Sequence, residues 1–168
     1  ELRRYFGVEK ILTEKNAPAI WEEVNRKISG KDFSARALIR QSNVELVGTT
    51  DDPVSDLRWH KALREDESFQ TRVVPTFRPD KAIQIEKSDF ADYIRKLGNR
   101  AGAEIDSFGA LCAALSKRMD FFAEAGCRIS DHSLPTVPLA EISEEKAGQA
   151  FQKAMAGEPI CQEEIGTY

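Results

Sequence analysis

The sequence predicts an α/β fold built from parallel strand–helix–strand units, and three observations carry that prediction. Short runs rich in β-branched or apolar residues occur in order at 44–49 (VELVGT), 71–77 (TRVVPTF) and 127–130 (CRIS). Helical periodicity fills the intervals between them, the arrangement expected of parallel strands joined by right-handed crossovers. Each run also stops on a polar tip: Asp51-Asp52, Arg78-Pro79-Asp80 and Asp131-His132. In parallel α/β folds the groups that meet ligands gather at such carboxyl ends of strands. Three strands alone leave two open edges, so further strands are expected outside these residues.

Residues 1–43 read as a helical region. Asn16-Ala17-Pro18 suits a helix start, with proline in the first turn. From there Ala17, Ile20, Trp21, Val24 and Ile28 fall on one apolar face, and Trp21 is expected in the core. Ser29-Gly30 ends this helix, and a second begins near Ser34, with Ala35, Leu38 and Ile39 inward and Asn43 as its stop. After the first strand, residues 54–64 read as a helix with Leu57, Leu63 and either Trp59 or His60 on its apolar side. The second strand ends at Pro79, which cannot donate to a ladder and turns Arg78 away from helix. An insertion with helices at about 88–98 and 106–125 follows, with Ser88 or Asp106 as caps. Phe108, Leu111, Leu115, Met119 and Phe122 form a core stripe, and Gly126 sits where a left-handed terminator belongs. The tail from Pro135 reads as a loop, a helix at 144–156 broken by Gly157-Glu158-Pro159, and a short helical segment near Cys161. The expected organisation is therefore one domain over 1–168: a helical region (1–43), βα units with a helical insertion (44–135) and a helical tail (136–168).

Composition narrows the function classes. There are 24 basic and 28 acidic residues for a net charge of −4, which argues against a nucleic-acid binder with its basic face. No apolar run reaches the length of a membrane span. Cys112, Cys127 and Cys161 are an odd, widely spaced set without a CxxC pattern, and a reducing cytoplasm is the simplest reading. Glu1 opens in what reads as a helix without a methionine, so an internal piece of a longer chain is expected.

The strand tips hold the candidate chemistry. Arg78 can grip a carboxylate through two parallel bonds, or form a structural ion pair with Asp80 or Asp52; spacing alone does not choose. Asp51 and Asp52 suit metal ligation, a general base or a helix cap before Pro53, and capping is favoured for at least one of them. Asp131 and His132 are adjacent, so an extended backbone sends their side chains to opposite faces. His132 suits acid–base work near neutral pH or a structural hydrogen bond, and His60 reads as a packing or surface residue. Nucleotide-loop, zinc-protease and serine-hydrolase signatures are absent.

Four stretches, ELRRYFG, FSARALIRQSNVELVGTTDDP, SFQTRVVPTFRPDKA with the following IE, and KRMDFFAEAGCRISDH, together resemble the uronate (glucuronate) isomerases, in that family's order and across essentially all of the chain. The resemblance implies a divergent amidohydrolase-superfamily (β/α)8 barrel of TIM type with an added helical region, of which this chain supplies about three strands. It implies interconversion of D-glucuronate with D-fructuronate, and of D-galacturonate with D-tagaturonate, in hexuronate catabolism. Arg78 matches a substrate-contacting arginine, and Asp51, Asp52, Asp131 and His132 match strand-end motif positions without assigned roles. The family's HxH metal motif and several proton-transfer positions have no counterpart here. A zinc-like divalent metal is thus implied only for the longer parent, with no metal ligand in this chain, and the chain alone is expected to be inactive. The implied partner is a small-molecule uronate, with homo-oligomers left open. A metal-dependent hydrolase of a carboxylated substrate and a non-catalytic binding module are the competing readings.

Overall fold

The computed structural model describes residues 1–133 and 143–168. In chain order the elements are α1 (Leu2–Phe6), α2 (Ala17–Ile28), a 3-10 turn (Lys31–Phe33), α3 (Ala35–Gln41), β1 (Leu46–Asp51), α4 (Arg58–Glu65), β2 (Arg72–Phe77), α5 (Asp80–Ile83), α6 (Phe90–Ala101), α7 (Phe108–Glu124), α8 (Glu144–Met155) and α9 (Gln162–Thr167). No helix among them is long and apolar enough to cross a membrane. The loop expected from Pro135 falls largely outside the described residues.

β1 and β2 are neighbours in one sheet. The Arg72 amide donates to the Glu45 carbonyl and the Arg78 amide to the Asp51 carbonyl, the same residue offset at both ends, as in a parallel pair. Relative to the sequence reading, β1 begins later and runs on through Thr50 into Asp51. At the third position the strand reduces to one parallel bridge, Phe77 with Ser130. The Phe77 amide donates to the Ile129 carbonyl and the Asp131 amide to the Phe77 carbonyl, which fixes where Asp131 leaves the sheet.

The chain divides into two units, Glu1–Val47 with Asp66–Arg72, and Gly48–Glu65 with Val73–Tyr168. In the first, Asn16 precedes α2 and Pro18 lies in its first turn, while the Ser34 hydroxyl accepts the Ala37 amide and so caps α3. Phe6 stacks on Phe33 with ring centroids 4.9 Å apart, Tyr5 and Ser42 hydroxyls lie 3.0 Å apart, and Arg36 pairs with Asp66 at 2.7 Å. Ile20 is buried on α2, but Trp21 is 71% exposed and Ile28 and Ala35 also face outward. The expectation that Trp21 packs in the core is thus corrected. Periodicity places residues on a shared face of a helix but does not say how wide the covered part of that face is.

The second unit is organised around α6, α7 and α8. Phe90, Ile94, Leu97, Leu111 and Phe151 are buried in one cluster, where each fully buried large side chain contributes on the order of 1.5–3 kcal/mol. Leu57, Phe77, Phe122 and Cys127 form a second cluster, with Phe77 and Phe122 edge to face at 5.1 Å. The α7 seam is Leu111, Ala114, Arg118 and Phe122; Met119, expected inward, is exposed and Arg118 is buried in its stead. Ser107 rather than Asp106 caps α7, accepting the Ala110 amide, and α6 begins at Phe90 after Asp89 rather than at Ser88. Gly126 follows α7 with φ +102, and a Cβ there would meet Val74 Cγ1 at 3.3 Å. The helix expected from residue 54 starts only at Arg58, because Pro53 and Val54 form a turn and Leu57 takes a positive φ of 53.

Candidate functional site

β2 delivers Arg78 to the end of the sheet because Val73, Val74, Thr76 and Phe77 extend the backbone and Pro79 stops it. The bridge from Phe77 to Ser130 brings Asp131 alongside, and α5 starts at Asp80 directly after the turn. These placements put four side chains in one cluster. Arg78 Nη2 donates to Asp131 Oδ2, and Arg78 Nε lies 3.9 Å from Asp80 Oδ2, beyond hydrogen-bond range. Asp80 Oδ2 accepts the Ser133 amide at 3.0 Å, while His132 Nδ1 lies 3.5 Å from Asp80 Oδ1. The bond from Asp131 raises the pKa of the Arg78 guanidinium above its usual value, with lesser help from the nearby Asp131 and Asp80 charges and against burial. Arg78 Nε, Asp80 Oδ1 and Asp131 Oδ1 are shielded from solvent yet have no hydrogen-bond partner among the described residues. Three such atoms in one cluster mark unused bonding capacity.

The β1 end is arranged differently. The Thr49 hydroxyl donates to Asp51 Oδ2 at 2.6 Å and lies 2.7 Å from His60 Nε2. His60 Nδ1 is buried with no hydrogen-bond partner among the described residues. Asp52 is fully engaged: Oδ1 accepts the Val54 amide at 3.0 Å and the Tyr93 hydroxyl at 2.9 Å, and Oδ2 pairs with Lys81 Nζ at 3.1 Å. Burial, reinforced by the Asp52 charge, pushes the Tyr93 hydroxyl pKa well above its usual value. Neither aspartate caps a helix, contrary to the expectation from Asp-Asp-Pro. Asp51 is still in the strand, Asp52 closes a turn, and Asp56 accepts the Arg58 amide where α4 begins.

Arg118 supports this loop from behind. Its Nε donates to the Pro53 carbonyl and its Nη2 to the Ser55 carbonyl, both at 2.7 Å, and the guanidinium lies 4.1 Å from the Phe121 ring centroid. Burial lowers its pKa, with a smaller contribution from Arg100.

The structure thus gathers Arg78, Asp131 and His132 around Asp80. Asp51 and Asp52 are each held by their own partners at the β1 end. The ion-pair partners of Arg78 are Asp131 and Asp80, not Asp52, whose cation is Lys81. Asp131 reaches Arg78 and His132 the Asp80 beside it, so the two adjacent side chains join one cluster rather than separate faces. Sequence reasoning missed Thr49, Lys81, Tyr93 and Arg118 as members of this frame. A charged residue at the i+4 spacing of Ala114, Arg118 and Phe122 was the one available signal for Arg118. As for a metal, no three His, Cys, Asp or Glu side chains converge among the described residues. The strand-end carboxylates face Arg78, Lys81, His60 and His132.

A parallel α/β frame with polar groups assembled at the carboxyl ends of its strands defines a protein of the strand-end ligand-binding class. The model of the glucuronate isomerase family matches residues 1–168, and the chain belongs to that family. It is 45% identical over 168 residues to a uronate isomerase of Caldanaerobacter subterraneus subsp. tengcongensis and 47% identical over the same length to one of Clostridium perfringens. Each match covers all of this chain but only 36% of the relative, so the chain spans about a third of the length of the curated relatives it matches. The crystal structure of a uronate isomerase from Thermotoga maritima superposes with a TM-score of 0.85 at 35% identity, covering 99% of this chain and 36% of that one. That of a glucuronate isomerase from Caulobacter crescentus gives 0.82 at 26% identity, covering 98% and 34%.

Proposed function

We propose that this chain is part of a uronate isomerase, an enzyme of hexuronate catabolism that interconverts D-glucuronate and D-fructuronate, and D-galacturonate and D-tagaturonate. The family match over every residue of the chain carries the reading. In this proposal the strands of the chain belong to a (β/α)8 barrel, and their carboxyl ends line part of its mouth.

The reaction moves a proton from carbon 2 to carbon 1 through a cis-enediol. It needs a base, a group that carries the hydroxyl proton and a means of polarising the carbonyl. This chain's share is binding, orientation and a part in proton handling. Arg78 contacts the sugar from the end of β2, with donors left over after its bond to Asp131. His132 and Asp131 are the candidates for proton handling, His132 because its ring is partly exposed and faces Asp80. We assign Asp51 and Asp52 to the frame around this site rather than to the substrate, since both carboxylates are occupied by the chain's own groups. The remaining chemistry, including any zinc-like metal, comes from residues outside this chain. A cytoplasmic setting and a small-molecule uronate as the partner belong to the same proposal.

Incubation with D-glucuronate and measurement of ketose tests it. The longer protein containing this sequence is expected to form ketose, and the 168 residues alone are not. Hydrolysis without ketose formation by the longer protein, or robust turnover by the isolated chain, would overturn the reading.

A further inference from the structure

Residues 21–28 of α2 read WEEVNRKI, a stretch whose charge changes sign about its midpoint while both ends are apolar. Two acids follow the tryptophan and two bases precede the isoleucine. That order also supports the helix itself, since acids suit its N-terminal end and Glu23 pairs with Lys27 one turn on at 3.1 Å. Helix stability does not account for the apolar ends. Trp21 is 71% exposed and Ile28 50%, and a spacing of seven residues places them on one side of α2. Asn25 lies between them, and its side-chain nitrogen donates back to the Trp21 carbonyl at 2.8 Å. The other side of α2 is engaged within its own unit, with Ile20 buried and Lys27 Nζ donating to the Phe6 carbonyl.

An antiparallel pairing of α2 with α2 of a second copy uses all of these features. A two-fold axis passing at Val24 sets Glu22 opposite Arg26 of the other copy. It also brings Trp21 to within one residue of Ile28 of that copy, about 1.5 Å along the helix. Glu22 and Arg26 are exposed and make no ion pair among the described residues. Sign inversion about the midpoint makes the stretch complementary to its own reverse, which is the condition for a two-fold contact of one surface with itself. A covering segment of different sequence does not require that symmetry. Ile11 and Leu12, 85% and 56% exposed, extend the apolar surface ahead of the helix, where the Asn16 side chain holds the loop by donating to the Ile11 carbonyl. A helix of 12 residues and its leading loop offer an area at the low end for a specific interface, so the pairing is expected to dissociate on dilution.

We propose that the exposed face of α2 is a self-association surface, on which two copies of the protein pair antiparallel with Trp21 of each against Ile28 of the other and Glu22 of each against Arg26. The surface lies wholly in the first unit, so the inference does not rest on the isomerase reading or on the strand ends of the second unit.

Sedimentation velocity of the longer protein over a dilution series tests the proposal. The wild-type protein is expected to contain an even number of copies and to halve that number on dilution. Removing an aromatic anchor from the centre of an interface weakens association by about 30-fold or more, so Trp21→Lys is expected to raise the dissociation constant by at least that factor. Glu22→Arg and Arg26→Glu each set like charges opposite one another and are expected to weaken the pairing by about 10-fold. The double variant restores opposite charges across the two-fold and is expected to return to within about 3-fold of the wild type. That recovery is a readout that a purely structural role for either side chain would not produce. A wild-type protein that stays monomeric, an odd number of copies, or a double variant no better than its singles would overturn the proposal. So would a Trp21→Lys variant that fails to fold alongside charge variants of unchanged mass, because other parts of the longer chain would then cover α2.

Discussion

The two strand ends of the second unit use the same residue types to opposite effect. At the β1 end, Asp51 and Asp52 meet Thr49, Tyr93, Lys81 and a backbone amide at 2.6–3.1 Å, and Arg118 ties down the loop that follows. At the β2 end, Arg78, Asp80 and Asp131 leave three shielded polar atoms unmet among the described residues, and His132 sits 3.5 Å from Asp80. The first arrangement holds a backbone in place; the second retains capacity for a ligand. The difference comes from the neighbours. The β1 end is backed by α6 and α7, which supply Tyr93 and Arg118, whereas Asp131 leaves the sheet after a single bridge. A carboxylate at a strand end therefore takes its role from what lies behind it.

Substitutions at the two ends should consequently separate activity from stability. The largest effect is expected from His132→Gln in the longer protein. If the imidazole handles protons, kcat for glucuronate falls by about 100-fold or more. The thermal midpoint should hardly move, because this side chain is partly exposed and makes no hydrogen bond among the described residues. Unchanged turnover would remove His132 from the mechanism. Next comes Arg118→Met, which strips the Pro53 and Ser55 carbonyls of a buried charged donor. It is expected to cost about 3 kcal/mol in urea denaturation. A loss below about 1 kcal/mol would show that the loop holds its shape without Arg118.

Tyr93→Phe removes one donor from Asp52 and leaves the Val54 amide and Lys81 in place. The expected cost is about 1 kcal/mol, with KM for D-glucuronate in the longer protein moving less than about 2-fold. A larger change in KM than in stability would break the distinction between the two ends. The smallest effect lies at α9. There the Cys161 backbone amide, assisted by Lys153, holds the Glu164 carboxyl at about 2, below its ordinary 4.5. A lowered folded-state value stabilises the protein above pH ~4.5, and that contribution disappears as pH falls toward 2. Glu164→Gln should flatten the stability profile in that window and leave its slope between pH 6 and 8 unchanged, as read by denaturation at a series of pH values.

Local chemistry explains which parts of this structure were legible in the sequence. β2 and its stop at Pro79 were readable because β-branched residues and a proline act on their own backbone. The start of α2, with Pro18 in its first turn, and the break at Gly157 follow from equally local rules. Trp21 was misplaced because burial depends on what covers a helix face, and α2 is covered only around Ile20. Met119, expected inward, is exposed and Arg118 is buried in its place, because carbonyls and aromatic faces can accommodate a buried guanidinium. The third strand is shorter than expected because a ladder needs a partner, and among the described residues 127–130 finds one only at Phe77. In the site, the presence of Arg78, Asp131 and His132 was legible, but their pairing was not. Which carboxylate faces Arg78 depends on a bridge between segments some fifty residues apart in sequence.

The most direct test of the account measures kcat/KM for D-glucuronate together with the thermal midpoint, on the longer protein and its Arg78→Met variant. The account predicts a fall in kcat/KM of about 10-fold or more, as expected for losing a charge-assisted contact, with a midpoint shift of only a few degrees. A kcat/KM that survives the substitution while the midpoint drops sharply would contradict it, and would make Arg78 part of the frame.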